Sequence, residues 1–160
     1  QGDLGREHRR LAQRWEAAGV ALRQPATDRE RLELLQWLLE QKRQACTGRG
    51  EHNALGTREQ AWLEAMVAQE RTLAELWSLT RGGERAAALL CWRTAAVRYG
   101  YTIGYNPRMA ALSPGVLVLF AVLRQTMKEG RAFNFLTGEQ AYKLRFATHR
   151  DVLLRFRHAD

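Results

Sequence analysis

The chain has 160 residues, 46% of them apolar, with a formal net charge of +8 and a pI near 10.3. That length suits one domain with a real core, and no stretch is apolar enough to span a membrane or patterned as a secretory signal. A positive field draws in polyanions, but no zinc-finger spacing, RNP-like aromatic motif or basic arm marks a nucleic-acid binder.

Of the 25 basic residues only Lys42, Lys128 and Lys143 are lysines. The arginine excess reflects a GC-rich genome as much as any function. Cys46 and Cys91 lack metal-ligand spacing, and Cys91, in an apolar run, reads as inert core. The simplest compartment is the cytoplasm.

In chain order, Glu7 to Ala18 reads as a helix with Leu11 and Trp15 on one face. Gly19 can end it, and Val20 to Leu22 is a strand candidate. Thr27 and Glu30 form a capping-box pair before Leu32, Leu35, Leu38 and Leu39, which predicts a helix to about Ala45. Residues 46–57 then read as a polar, glycine-rich loop. Thr57 and Gln60 suggest a second capping box, and Trp62, Met66 and Val67 give the following helix its apolar side.

From Leu73 the period shortens to two. Leu73 to Thr80 and Ala86 to Thr94 are strands joined by Arg81-Gly82-Gly83-Glu84, a hairpin signal. In the third strand Val97, Tyr99, Tyr101, Ile103 and Tyr105 alternate with Arg98, Gly100, Thr102 and Gly104. Two glycines on one face read either as close approach of another group or as a bulge or tight sheet packing.

Residues 113–146 carry the strongest signal. Ser113 suits an N-cap, Pro114 the first helical position, and Gly115 leaves the backbone bare. Val116 to Leu123 is apolar all round and should be buried. Lys128 suits the last turn and Gly130 a left-handed stop. A strand from Ala132 to Leu136, a Thr137-Gly138 turn and a helix from Glu139 to Phe146 follow. A last strand is expected from Val152 to Phe156. By pattern alone this is an α/β or α+β domain, helical over 1–72 and sheet-rich over 73–160.

Ser113-Pro114-Gly115 before an apolar helix, with Phe133, Phe135, Leu136, Gly138, Tyr142 and Lys143 some twenty residues on, resembles the C-terminal half of the CelD/BcsL-type acetyltransferases. These belong to the GNAT superfamily of N-acetyltransferases and are related to the FemAB peptidyltransferases. Asn134 and Gln140 stand where that pattern has carboxylates, Ala141 stands for its proline, and Glu139 for its aspartate. The resemblance implies a mixed, mainly antiparallel sheet flanked by helices. It also implies that residues 1–160 are a fragment of a longer protein of two related halves.

Taken as physics, the helix start at Ser113, Gly115 and Val116 is either a plain capped helix or a phosphate site. The resemblance favours the second, holding acetyl-CoA or another acyl-CoA as donor for an amine acceptor. Tyr142 is either ring packing or, by resemblance, the acid that protonates the departing thiolate. Lys143 is either a surface charge or a partner for phosphate or an acidic acceptor. Glu139 is either a helix-start cap or a base for the amine. The four histidines form no site, and no metal motif is present. Two rival readings remain: transfer from aminoacyl-tRNA in the FemAB manner, and a non-catalytic binding domain.

Overall fold

The structure, a computed structural model, describes residues 4–48, 55–138 and 140–152. The helices are α1 (Leu4–Ala18), α2 (Asp28–Gly48), α3 (Thr57–Gln69), α4 (Pro114–Lys128) and α5 (Ala141–Phe146). The strands are β1 (Val20–Arg23), β2 (Ala74–Arg81), β3 (Glu84–Arg93), β4 (Val97–Tyr105) and β5 (Ala132–Asn134), and a 3-10 helix spans Pro107–Leu112. They form one sheet in the order β1-β2-β3-β4-β5, antiparallel through β4 and parallel between β4 and β5. The mixed, mainly antiparallel sheet flanked by helices is the architecture expected. Apart from Val152, which is exposed and outside any strand, the last strand predicted over 152–156 lies outside the described residues, as do His52 and His158.

Each face of the sheet carries its own core. On one, Leu11 of α1 and Leu117, Val118 and Phe120 of α4 pack on Trp77, Leu79 and Leu89. On the other, Leu35 and Leu38 of α2 and Leu63 and Val67 of α3 pack on Leu76, Ala88 and Leu90. β2 and β3 are covered on both sides and are buried along most of their length, with Ala86 to Cys91 of β3 apolar throughout. The hairpin turn needs its glycines, since Gly82 (φ +57) and Gly83 (φ +84) both take left-handed backbone.

Two helix starts differ in kind. At α2 the capping box forms: the Glu30 N–H donates to the Thr27 hydroxyl at 3.2 Å, and the Thr27 N–H to the Glu30 carboxylate at 3.1 Å. At α3 it does not. Gly56 is the N-cap with no side-chain bond, and Gln60 instead donates to the Leu55 carbonyl at 3.0 Å. The buried side of α3 is Leu63 and Val67, while Trp62 is 51% exposed and leans on Trp92. α2 continues to Gly48, three residues beyond the predicted end.

The α4 helix is buried as its apolar run predicts. Its end is a Schellman turn: Gly130, at φ +67, donates to the Met127 carbonyl, and Arg131 to that of Thr126. The turn feeds β5 back alongside β4.

One end of β4 is locked by a buried charge. Arg98 is fully buried, donating to Glu75 of β2 at 2.6 and 3.2 Å, to the Thr126 hydroxyl of α4 at 2.6 Å and to Glu129 at 2.9 Å. Burial works against the Glu129 charge. The Gln125 amide and the guanidinium groups of Arg98 and Arg131 outweigh it and hold the carboxyl below its ordinary value of 4.5.

The other end of β4 is set by a bulge. Leu90 pairs with Thr102 and Cys91 with Gly100, so Tyr101 has no partner on β3. The two glycines therefore face opposite ways, not the same way as the unbroken alternation suggested. A Cβ on Gly100 would lie 2.7 Å from the Phe133 ring, and one on Gly104 would lie 2.8 Å from the Leu38 carbonyl of α2.

Two consequences are measurable. Arg98→Ala leaves Glu75 buried with only Arg93, at 3.3 Å, to answer it, and should lower unfolding free energy by about 3–5 kcal/mol in urea titration. A loss below about 1 kcal/mol means the pair is not a fixed point of the fold. Glu129 adds stability in full above pH 4.5, and that part is lost as pH falls through its depressed pKa. Second, Gly104→Ala should cost more than Gly100→Ala, on the order of 1–3 kcal/mol. The Phe133 ring can swing aside, whereas a helix carbonyl cannot. Equal melting temperatures for the two variants contradict this assignment of faces.

Candidate functional site

β4 and β5 share only three residue pairs: Val97 with Ala132, Arg98 with Phe133, and Tyr99 with Asn134. The strand predicted to reach Leu136 stops at Asn134 for a local reason. The Asn134 side-chain oxygen accepts the Leu136 N–H at 2.7 Å, and Leu136 turns left-handed at φ +56. β5 leaves the sheet there, while β4 runs on to Tyr105 with that edge unpaired.

The gap between them is a cleft of about 550 Å³. Tyr101, Thr102, Ile103 and Tyr105 of β4 form one wall, and Thr137, Gln140, Tyr142 and Lys143 the other. Ser113 to Val116, at the start of α4, close one end, and Lys42 reaches in from α2. The unpaired tyrosine of the bulge is thus a lining residue.

Of the residues singled out in the sequence, Ser113, Gly115, Val116, Tyr142 and Lys143 all line this cleft. Glu139 lies outside the described residues. The helix predicted from Glu139 begins at Ala141, with Gln140 as its N-cap.

The α4 start differs from the expectation in a way that bears on binding. Ser113 is the N-cap by position, but its backbone is left-handed (φ 51, ψ 53) and its hydroxyl makes no capping bond. It also ends the preceding 3-10 helix, donating its N–H to the Ala110 carbonyl at 2.8 Å. Arg14 of α1 steadies that joint through the Leu112 carbonyl at 3.0 Å. Pro114 has no N–H, and those of Val116 and Leu117 return to the Ser113 carbonyl at 3.0 and 3.2 Å. Among the described residues, the Gly115 N–H is the one left at this helix start. A Cβ on Gly115 would meet Ile103 and Tyr105 at 3.5 and 3.6 Å, ordinary contact distances.

The opposite wall holds the titratable groups. Tyr142 is half-buried against the α4-side core, and burial pushes its phenol above the ordinary value, so it keeps its proton at neutral pH. Lys143 donates to the Thr137 carbonyl. Burial, and then the charge of Lys42, pull its ammonium below the ordinary lysine value. Among the described lining residues there is no carboxylate.

Lys42 was not legible as a site residue. On α2 it occupies one more polar position, and its only signal was the scarcity of lysine in this chain. The remaining candidates lie elsewhere. Cys91 is buried and its thiol pushed well up by burial, and Cys46 is also buried. His149 is exposed, with its ring beside the Thr148 hydroxyl at 3.1 Å. No group of His, Cys, Asp or Glu among the described residues could hold a metal ion, and no helix among them is long and apolar enough to cross a membrane.

Solved structures that share this fold include acetyltransferases. An aminoglycoside acetyltransferase from an uncultured soil metagenomic sample, in complex with sisomicin, aligns at TM-score 0.56 and 12% identity, over 88% of this chain and 96% of that one. A predicted acetyltransferase with acetyl-CoA from Clostridium acetobutylicum aligns at 0.59 and 8%, over 86% and 96%. The C-terminal domain of a putative lysylphosphatidylglycerol synthetase from Agrobacterium fabrum aligns at 0.60 and 12%, over 84% of this chain and 42% of that one. At such identities the likeness is one of fold. A sequence comparison with curated proteins gives no match. The family pattern described as "Acetyltransferase (GNAT) domain" matches residues 3–144, from α1 into α5. The chain belongs to that family of GNAT acetyltransferase domains.

Proposed function

We propose that the protein is an acyl-CoA-dependent N-acyltransferase, with acetyl-CoA or another acyl-CoA as donor and an amine as acceptor. The observation that carries this reading is the open β4 edge facing Tyr142 across a cleft closed at one end by the α4 start. An extended thioester chain suits an unpaired strand edge, whose backbone groups can bond it as a neighbouring strand would. The cleft offers cations and an N–H to phosphates and a protonated phenol to the sulfur. The membership of a GNAT family supports the same donor.

In this reading the acceptor nitrogen attacks the thioester carbonyl, a C–N bond forms and the C–S bond breaks. Tyr142 gives its proton to the departing thiolate, and its raised pKa keeps that proton available. The tyrosinate is restored by the proton the amine sheds. Glu139 is the proposed relay for it. We assign the chain to the CelD/BcsL type on Phe133, Phe135, Leu136, Gly138, Tyr142 and Lys143, and to the cytoplasm.

Acetyl-CoA at a hundredfold excess over its Kd should stabilise the fold by about 2.7 kcal/mol, roughly 5–10 °C in melting temperature. Gly115→Glu should abolish that shift. Its Cβ fits and an acid suits a helix start, so the variant should fold. A shift with aminoacyl-tRNA and none with acetyl-CoA favours the FemAB manner of transfer. No shift with either favours a binding domain.

Tyr142→Phe separates catalysis from binding. Turnover by the full-length protein should fall at least about 100-fold, with acetyl-CoA affinity unchanged. Full activity in that variant reduces the ring to packing.

A further inference from the structure

The α4 start supplies little of what a phosphate needs. A helix beginning normally leaves several N–H groups open, but here Ser113, Pro114 and Val116 contribute none. Any anion held in this cleft must draw its charge from side chains.

Two are placed to give it. Lys42 comes from α2 on one face of the sheet, and Lys143 from α5 beyond the open β4 edge. They lie 101 positions apart in sequence and are two of the three lysines in a chain with 25 basic residues. Lys42 has no hydrogen-bond or ion-pair partner among the described residues. Lys143 bonds the Thr137 carbonyl, which leaves it two further N–H donors. The charge of Lys42 acts on Lys143, and no carboxylate among the described lining residues separates or neutralises them. Like charges left facing one another cost energy, and an anion between them removes that cost. Lysine suits the task, being a compact charge with rotatable donors on a flexible stem.

We propose that Lys42 and Lys143 bind one phosphate-type anion from opposite sides of the cleft, in place of the backbone donors the α4 start lacks. This rests on the acyl-CoA reading for its ligand, the pyrophosphate of the donor. A phosphorylated acceptor presents the same chemistry, and the test separates the two.

The probes are acetyl-CoA, S-acetylpantetheine (which has the thioester and no phosphate) and inorganic pyrophosphate. Affinity and thermal shift are measured on wild type, Lys42→Ala and Lys42→Gln, with Lys128→Ala as an equal loss of charge outside the cleft. Acetyl-CoA affinity should fall at least tenfold in both Lys42 variants and stay within twofold in Lys128→Ala. S-Acetylpantetheine should bind all four proteins alike. Pyrophosphate should protect wild type and Lys128→Ala, and neither Lys42 variant.

Equal acetyl-CoA affinity in wild type and the Lys42 variants overturns the pair as the donor's phosphate site and leaves the acyl-CoA reading intact. So does an equal loss with S-acetylpantetheine, since Lys42 then acts on something other than phosphate. Lys42-dependent protection by pyrophosphate with no acetyl-CoA binding keeps the anion site, removes the donor and points to a phosphorylated acceptor. Binding of none of the three probes to folded wild type overturns both.

Discussion

The pairing of β4 with β5 ends at Tyr99 and Asn134, and the site depends on that ending. Before it, β4 is an interior strand, bonded on both edges and fixed by Arg98. After it, β4 becomes an edge. An exposed edge normally invites other chains to pair; here it lies inside a cleft, roofed by α5 and the turn after β5. The bulge at Tyr101 works with the break in pairing, because it changes which side chains face α4 and which face α2.

Arg98 is a costly way to hold two strands and a helix together. A buried ion pair of this kind seldom stabilises more than an apolar cluster of the same size. It does fix geometry: the guanidinium has one arrangement that satisfies Glu75, Thr126 and Glu129 together. The end of α4, which feeds β5, is thus tied to β4 by side chains, beside a ladder of only three pairs.

Much of this was legible in the sequence, and the failures have physical causes. The apolar run of α4, the glycine pair at Gly82 and Gly83 and the capping box at Thr27 each admit one local structure, and each formed. Thr57 and Gln60 have the same letters as a capping box, but the chain turns at Gly56 and the helix starts one residue early. A bulge was one of the two readings of the glycine pair, but Tyr101 hid its place, since a tyrosine fits either face of a strand and the alternation read straight through it. Nothing local marked Arg98 as buried, because its acids come from β2 and the end of α4, far off in sequence. The walls of the cleft, Ser113 to Val116 and Tyr142 with Lys143, were found as motif positions. Lys42 was not, because it comes to the cleft through the packing of α2 on β4, which no local pattern displays.

The same short ladder gives the cleft a mechanical character. From Tyr99 to Tyr105 the open strand runs roughly 20 Å at about 3.3 Å per residue. The far wall is attached at the Tyr99 end by β5, rests Tyr142 and Phe146 on the α4-side core, and meets α1 through the 3.5 Å ion pair of Arg145 with Glu7. Were it to tilt, it would act as a lever hinged where β4 and β5 last pair. A rotation of about 5° at the hinge moves the far end by nearly 2 Å over such an arm. A ligand that touches both jaws braces the lever at its tip, where torque is resisted most. Its stiffening effect is therefore felt at the hinge, remote from any atom it contacts.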